Sequence, residues 1–269
     1  MTGSETRAGP VRPDLAERLI LPRYNLRDYG GVTTRDGARL VSDMLFRSAE
    51  LDRCRPHESD LLERLGVQAL VDFRSPGEIP ATVPAAHPRF TGQRFATAND
   101  DTVIPHALNR FAALNTPAEA RATLTETYRK FALSDHFRVT LKLYFEMLAH
   151  TNGPSLIHCF AGKDRTGIAV ALFQSHMNVH PDDIADQFMI THAAGEDRVA
   201  YLRETMVGNA EASIQPDVLE ELLTVRAEYL EAALAEIVAH YGDVPTYLRD
   251  GAGIEQKTLG ALPQRYSVS

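Results

Sequence analysis

Apolar residues along this chain fall into a few short unbroken runs and several longer stripes of helical spacing. Ser155-Leu156-Ile157, entered through the Gly153-Pro154 turn, reads as a buried strand. Val67 to Phe73 is nearly continuous in apolar residues, the pattern of a strand covered on both faces of a parallel sheet. Met44 to Arg47 reads as another strand, and one more is expected near Arg94-Phe95. Helical patterns are more numerous. One opens at Pro56 and runs to Leu65, with Leu61, Leu62 and Leu65 on one face and Gly66 at its end. Ala118 to Phe131 is helical by composition. Ser134 caps the next helix, which reaches about His150 with Phe137, Leu141, Tyr144, Phe145 and Leu148 in one stripe. Ile168 to Phe173 is apolar on every side, as a helix in the middle of a domain must be.

The remainder is helix-rich. Pro181 starts a helix ending near Ala194-Gly195, and Val199 to Met206 is a weaker one. Pro216 to Leu223 and Glu228 to Tyr241 are separated by a break at Thr224 to Arg226, and a last helix surrounds Leu259. Residues 1 to about 20 read as a flexible lead containing a short helical piece, Asp14 to Leu19. Five prolines between Pro76 and Pro105 mark irregular chain. Strand, helix and strand over residues 44–73 make a βαβ unit, so the fold class is α/β with a mostly parallel sheet. With no internal repeat, low-complexity tract or linker, residues 1–269 read as one domain.

Composition narrows the function. The apolar fraction of 44% supports a sizeable core, and no run reaches the length of a membrane span, so stable membrane insertion is not expected. The polar start from Met1 to Pro13 lacks the apolar core of a signal peptide, which points to the cytoplasm and leaves non-classical secretion open. Two cysteines do not make a disulfide scaffold. Net charge is −8, and Pro181 to Asp250 alone carries −11, with four Lys and Arg against fifteen Asp and Glu. That balance argues against nucleic acid as a partner and against broad docking on anionic lipid. No His/Cys/Asp set has metal-ligand spacing, so neither metal nor other cofactor is expected.

The chemistry concentrates in His158-Cys159-Phe160-Ala161-Gly162-Lys163-Asp164-Arg165-Thr166-Gly167, between the strand at Ser155 and the all-apolar helix. Backbone N–H groups at a helix start point into such a loop, and the helix dipole favours an anion there. The same field is expected to favour the thiolate of Cys159. Arg165 offers a planar fork that matches two phosphate oxygens. Gly162 permits the backbone conformation, and the Thr166 hydroxyl is placed where it could bond the sulfur. His158 is expected to order the loop by hydrogen bonding.

A cysteine and an arginine separated by five residues resemble the signature loop of the cysteine-dependent phosphatases. The fuller string from Gly162 to Gly167 resembles the bacterial tyrosine/phosphoinositide phosphatases. Leu26-Arg27-Asp28-Tyr29-Gly30-Gly31, Phe46-Arg47-Ser48, Asp72-Phe73-Arg74-Ser75 and the C-terminal Val244 to Arg249 extend the likeness beyond the loop. The resemblance implies the cysteine-phosphatase fold, a central sheet flanked by helices, in which helices after 181 can form a lid. It implies hydrolysis of a phosphate monoester, phosphotyrosine foremost, through a phosphocysteine on Cys159, with inhibition by phosphate-like anions. His158, Phe160, Ala161, Gly162, Lys163, Thr166 and Gly167 would line the bound phosphate.

Ordinary tyrosine phosphatases carry the general acid on a Trp-Pro-Asp loop, and this chain has no Trp. In the branch resembled here the acid would be Asp164, with Asp100 and Asp101 as the other candidates. Asp72 and Arg74, at the end of a strand, are either site residues or a tie for the adjacent turn. Lys163, where the branch has a Gly-Lys pair, would either set a flexible cation at the rim for a second phosphate on an inositol ring, or merely raise the loop's positive potential or pair with a nearby carboxylate. A phosphate-binding pseudo-enzyme and a rhodanese-like sulfur transferase are the competing classes. The substrate, protein or lipid, and the oligomeric state are not given by these patterns.

Overall fold

The computed structural model describes residues 18–58, 60–79, 90–98, 113–206 and 214–268. Six strands form the main sheet: β1 (Leu19–Leu21), β2 (Leu26–Asp28), β4 (Leu45–Ser48), β5 (Ala69–Asp72), β6 (Gln93–Phe95) and β7 (Ser155–His158). Their order is β1-β2-β4-β7-β5-β6, parallel from β4 to β6 and antiparallel at the β1–β2 edge. A small antiparallel pair joins β3 (Arg39–Leu40) to β8 (Ser267–Val268). The expected strands at 44–47 and 67–73 are therefore parallel but not adjacent. β7 lies between them, because its wholly buried Ser155-Leu156-Ile157-His158 run suits the centre of the sheet.

Register fixes where the chemistry sits. Ser48 and Asp72 both pair with His158, so β4, β5 and β7 end in one row. The loop after His158 leaves the sheet at its carboxyl edge, between two neighbouring strand ends, where α/β sheets place ligands. From there α4 (Asp164–His176) runs back through the interior, buried from Asp164 to Gln174.

Helices pack on both sides of this centre. α2 (Pro117–Leu133) has a capping box formed by Thr116 and Glu119, and Ser134 caps α3 (Asp135–His150) through a 3.2 Å bond from the Phe137 N–H. The expected stripe of α3 is wholly buried. Its Tyr144 meets Phe73 and Phe173 at ring separations of 6.2 and 6.1 Å, binding α3 to the sheet and to α4. Beyond α4 come α5 (Pro181–Ala193), α6 (Gly195–Met206), α7 (Pro216–Leu223), α8 (Ala227–Tyr241) and α9 (Gln256–Tyr266), with the expected break at Thr224 to Arg226.

Three expectations change. Arg18 is in a turn and Leu19 in a strand, not a helix, and Asp14 to Glu17 lie outside the described residues. The helix from Pro56 to Leu65 becomes a 3₁₀ turn at Pro56–Glu58 and a short α1 (Leu61–Arg64), with Leu61 and Leu62 buried and Leu65 packed against the core from the turn that follows. The helix at Val199 begins four residues earlier, at Gly195. Among the described residues no helix is long and apolar enough to cross a membrane.

Candidate active site

Cys159 follows β7 directly and is buried in the loop that α4 closes. The loop's fold depends on Gly162, whose φ of +59° is a left-handed conformation. A Cβ there would lie 2.3 Å from the Ser48 carbonyl carbon and oxygen, so the loop can approach β4 only with glycine. The Gly162 carbonyl accepts from Arg47 Nη2 at 2.9 Å and from Asn25 Nδ2 at 2.8 Å. The Phe160 carbonyl accepts from the Glu50 N–H at 3.0 Å. Arg27 in turn bonds the Asn25 side chain and donates to Thr191 Oγ1 of α5 at 3.0 Å. Arg27 and Arg47, which the sequence offered only within strings that resemble the family, thus brace the loop from behind. Gly167 lets α4 pack closely; a Cβ there would sit 2.6 Å from the Phe188 ring of α5.

Arg165, in the first turn of α4, is fully buried. Its Nη1 donates to the Phe73 carbonyl at 2.8 Å, and Nη1 and Nη2 grip the Glu78 carboxylate at 2.5 and 2.6 Å. Its Nε has no acceptor among the described residues. The Nη1–Nη2 face is therefore clamped while the Nε side stays available. Burial alone would lower the Arg165 pKa, but Glu78 overrides it and raises it. Glu78 escaped the sequence reading because it sits in the proline-rich stretch. The available signal was the Ser75-Pro76-Gly77-Glu78 capping box that starts a 3₁₀ turn.

The setting is rich in cations. Arg47, Lys163, Arg165 and Arg198 of α6 all lie close enough to Cys159 for their charges to act on it. Burial brings Arg47 and Arg198 down to about 10, still charged at neutral pH. Asp164, buried at the start of α4, lies 3.3 Å from Lys163 Nζ and faces the Tyr128 hydroxyl of α2. Cys54 offers the contrast. Burial, with Glu58, Glu50 and Asp52 nearby, pushes its thiol up to about 11.

The structure gathers Cys159, Asp164 and Arg165 in one place and rearranges the others. His158 Nδ1 lies 3.3 Å from the Cys159 carbonyl and Nε2 3.7 Å from Asp72, consistent with an ordering role. Thr166 is buried and its hydroxyl makes no bond to the sulfur; it has no partner among the described residues. Lys163 is not at the rim. Its ammonium is buried and donates to the Leu222 and Thr224 carbonyls at 2.7 and 3.0 Å, a stronger attraction than a solvent-facing position offers. Asp72 and Arg74 form the tie. Arg74 forks onto Asp72 at 3.0 and 2.8 Å and reaches Asp52 at 2.6 Å, while Arg94 adds a 2.7 Å bond to Asp72. Burial opposes the Asp72 charge, but His158 and Arg74 hold its carboxyl well below the usual range. Asp100 and Asp101 lie outside the described residues. Among the described residues no cluster of His, Cys, Asp and Glu could hold a metal ion.

Comparison with known proteins identifies the family. The chain is 32% identical over 249 residues to a protein of Cupriavidus necator named as a tyrosine-protein phosphatase, covering 92% of this chain and 87% of that one. It is 29% identical over 276 residues to the triple specificity protein phosphatase PtpB of Mycobacterium tuberculosis, covering 92% and 98%. A tyrosine-protein phosphatase of Nostoc commune is 27% identical over 234 residues, covering 84% and 75%. The sequence profile of the tyrosine phosphatase family matches residues 22–268, and the chain belongs to that family.

Proposed function

We propose that this phosphatase hydrolyses phosphotyrosine in two steps at Cys159, with Arg165 as the phosphate-binding residue and Asp164 as the proton donor. The Cys159 sulfur, as thiolate, attacks phosphorus. The bond from phosphorus to the tyrosyl oxygen breaks, and the departing oxygen takes the Asp164 proton. Water then attacks the phosphocysteine, the sulfur–phosphorus bond breaks, and the Asp164 carboxylate accepts the proton of that water. Charge developing on the equatorial oxygens is met by loop N–H groups and by Arg165, already held in place and so needing no reorganisation.

The observation that carries this reading is the Arg165 guanidinium, clamped by Glu78 and Phe73 on one side with Nε available beside a buried cysteine. A rhodanese-like transferase has no use for that clamp. Phosphoinositides as further substrates drew on a solvent-facing Lys163, and the buried ammonium withdraws that support. The name of the mycobacterial relative supports a range wider than phosphotyrosine. Phosphate-like anions are expected to inhibit by occupying the same loop.

The test is turnover of p-nitrophenyl phosphate and of a phosphotyrosine peptide by Cys159→Ser and Cys54→Ser. Cys159→Ser should be inactive and should form no phosphoenzyme, whereas Cys54→Ser should retain wild-type rates. More than a trace of activity in Cys159→Ser defeats the covalent mechanism.

A further inference from the structure

Arg198 belongs to α6, remote in sequence from the loop, yet its side chain is as deeply buried as the loop's own. One of its nitrogens, Nη1, donates to the Leu223 carbonyl at 2.8 Å. The other two, Nε and Nη2, have no acceptor among the described residues. Nε and Nη2 together form the edge of a guanidinium that holds two oxygens side by side. Leaving such an edge buried and unsatisfied is costly, because a charged donor loses its water and gains nothing.

The position of this edge is informative. The anchor of Arg198, Leu223, lies between Leu222 and Thr224, whose carbonyls Lys163 of the loop holds at 2.7 and 3.0 Å. The charges of Asp164 and Cys159 act on the Arg198 guanidinium. Arg165 shows the same condition at its own Nε. Three buried guanidiniums, those of Arg47, Arg165 and Arg198, thus keep a donor unused around a single cysteine. Arg27, Arg47 and Arg165 each leave Nε without an acceptor but give Nη2 to Thr191, the Gly162 carbonyl and Glu78, so of these four Arg198 alone keeps a whole Nε–Nη2 edge unpartnered among the described residues.

We propose that Arg198 is a second phosphate-binding residue, its Nε–Nη2 edge taking oxygens of the phosphate held in the Cys159 loop. Its Nη1 bond to Leu223 sets the guanidinium plane beforehand, so binding need not order the side chain. The assignment rests on the phosphatase reading of the loop, and adds to it a cation that comes from the helices beyond α4.

Binding without turnover tests it. In the Cys159→Ser background, titration with inorganic phosphate measures occupation of the loop, and Arg198→Lys and Arg198→Gln are compared in that background. Both replacements keep a donor that can reach the Leu223 carbonyl and both lose the fork. The expected result is a dissociation constant about tenfold or more higher in each, the loss typical of hydrogen bonds to a charged group. The thermal midpoint should remain close to that of the parent. Arg198→Lys in the otherwise wild-type enzyme should likewise raise KM for p-nitrophenyl phosphate. Phosphate affinity within twofold of the parent in either folded variant overturns the assignment and leaves Arg198 as a tether for α7. Failure of the Cys159→Ser parent itself to bind phosphate defeats the phosphatase reading, and the Arg198 assignment falls with it.

Discussion

At the scale of single residues, the proposed mechanism depends on charge fixed before the substrate arrives. Arg165 is the clearest case, since Glu78 and the Phe73 carbonyl hold one face of its guanidinium and leave Nε without an acceptor among the described residues. Arg165→Lys keeps the charge and loses both the grip on Glu78 and the fork. Its rate should fall on the order of 10²–10³, close to the loss in Arg165→Ala, by analogy with removing one oxyanion donor. A lysine variant within about tenfold of wild type would show that charge alone suffices. Asp164 separates by leaving group. If it protonates the departing oxygen, Asp164→Asn should slow hydrolysis of alkyl phosphates far more than that of p-nitrophenyl phosphate, whose leaving group hardly needs a proton. Equal losses on both would assign Asp164 to the Lys163 and Tyr128 contacts alone.

Between elements, the loop serves as a joint, and Lys163 shows how. Its ammonium satisfies the Leu222 and Thr224 carbonyls at the end of α7, where the helix leaves acceptors without partners. Lys163→Met removes those donors from a buried place. It should cost about 1–3 kcal/mol in stability, read as a lower melting midpoint, and reduce turnover of every substrate by a similar factor. Selective loss on multiply phosphorylated inositides would return Lys163 to the substrate. This joint was illegible in the sequence. Gly-Lys-Asp-Arg shows a lysine in the loop but not that residues about sixty positions later fold over it. Gly162 was legible, because a tight strand-to-helix turn demands a residue free of a Cβ. Gly162→Ala should destabilise by roughly 1–3 kcal/mol from the left-handed backbone alone. The overlap with Ser48 adds to that cost, and turnover should fall further than stability as the loop is pushed off β4.

For the molecule as a whole, the centre could be read from the chain and the periphery could not. β7, the loop and α4 are contiguous, so local pattern suffices for them. The placement of β7 between β4 and β5, and of Arg198 beside Cys159, depends on long-range packing that a linear pattern does not encode. Much of that packing encloses titratable groups, which makes stability sensitive to acid. Burial is the main influence on His158 and His176 and lowers both below the ordinary histidine value, against opposing help from Asp72 and the Leu259 carbonyl. The unfolded chain protonates these imidazoles near pH 6.5 while the folded chain resists. Stability from them is complete above that pH and declines as pH falls through it. Asp72, held low by His158 and Arg74 despite its burial, behaves in the same direction at lower pH. Its share is present above about 4 and is lost below. Thermal midpoints measured from pH 7.5 downward should therefore fall gently between about 7 and 5.5 and steeply below about 4. His176→Gln, which retains an amide donor toward the Leu259 carbonyl and lies away from the cysteine, should flatten the first decline without altering the second. An unchanged slope between pH 7 and 5.5 in that variant would remove His176 from the acid response and leave the decline to His158.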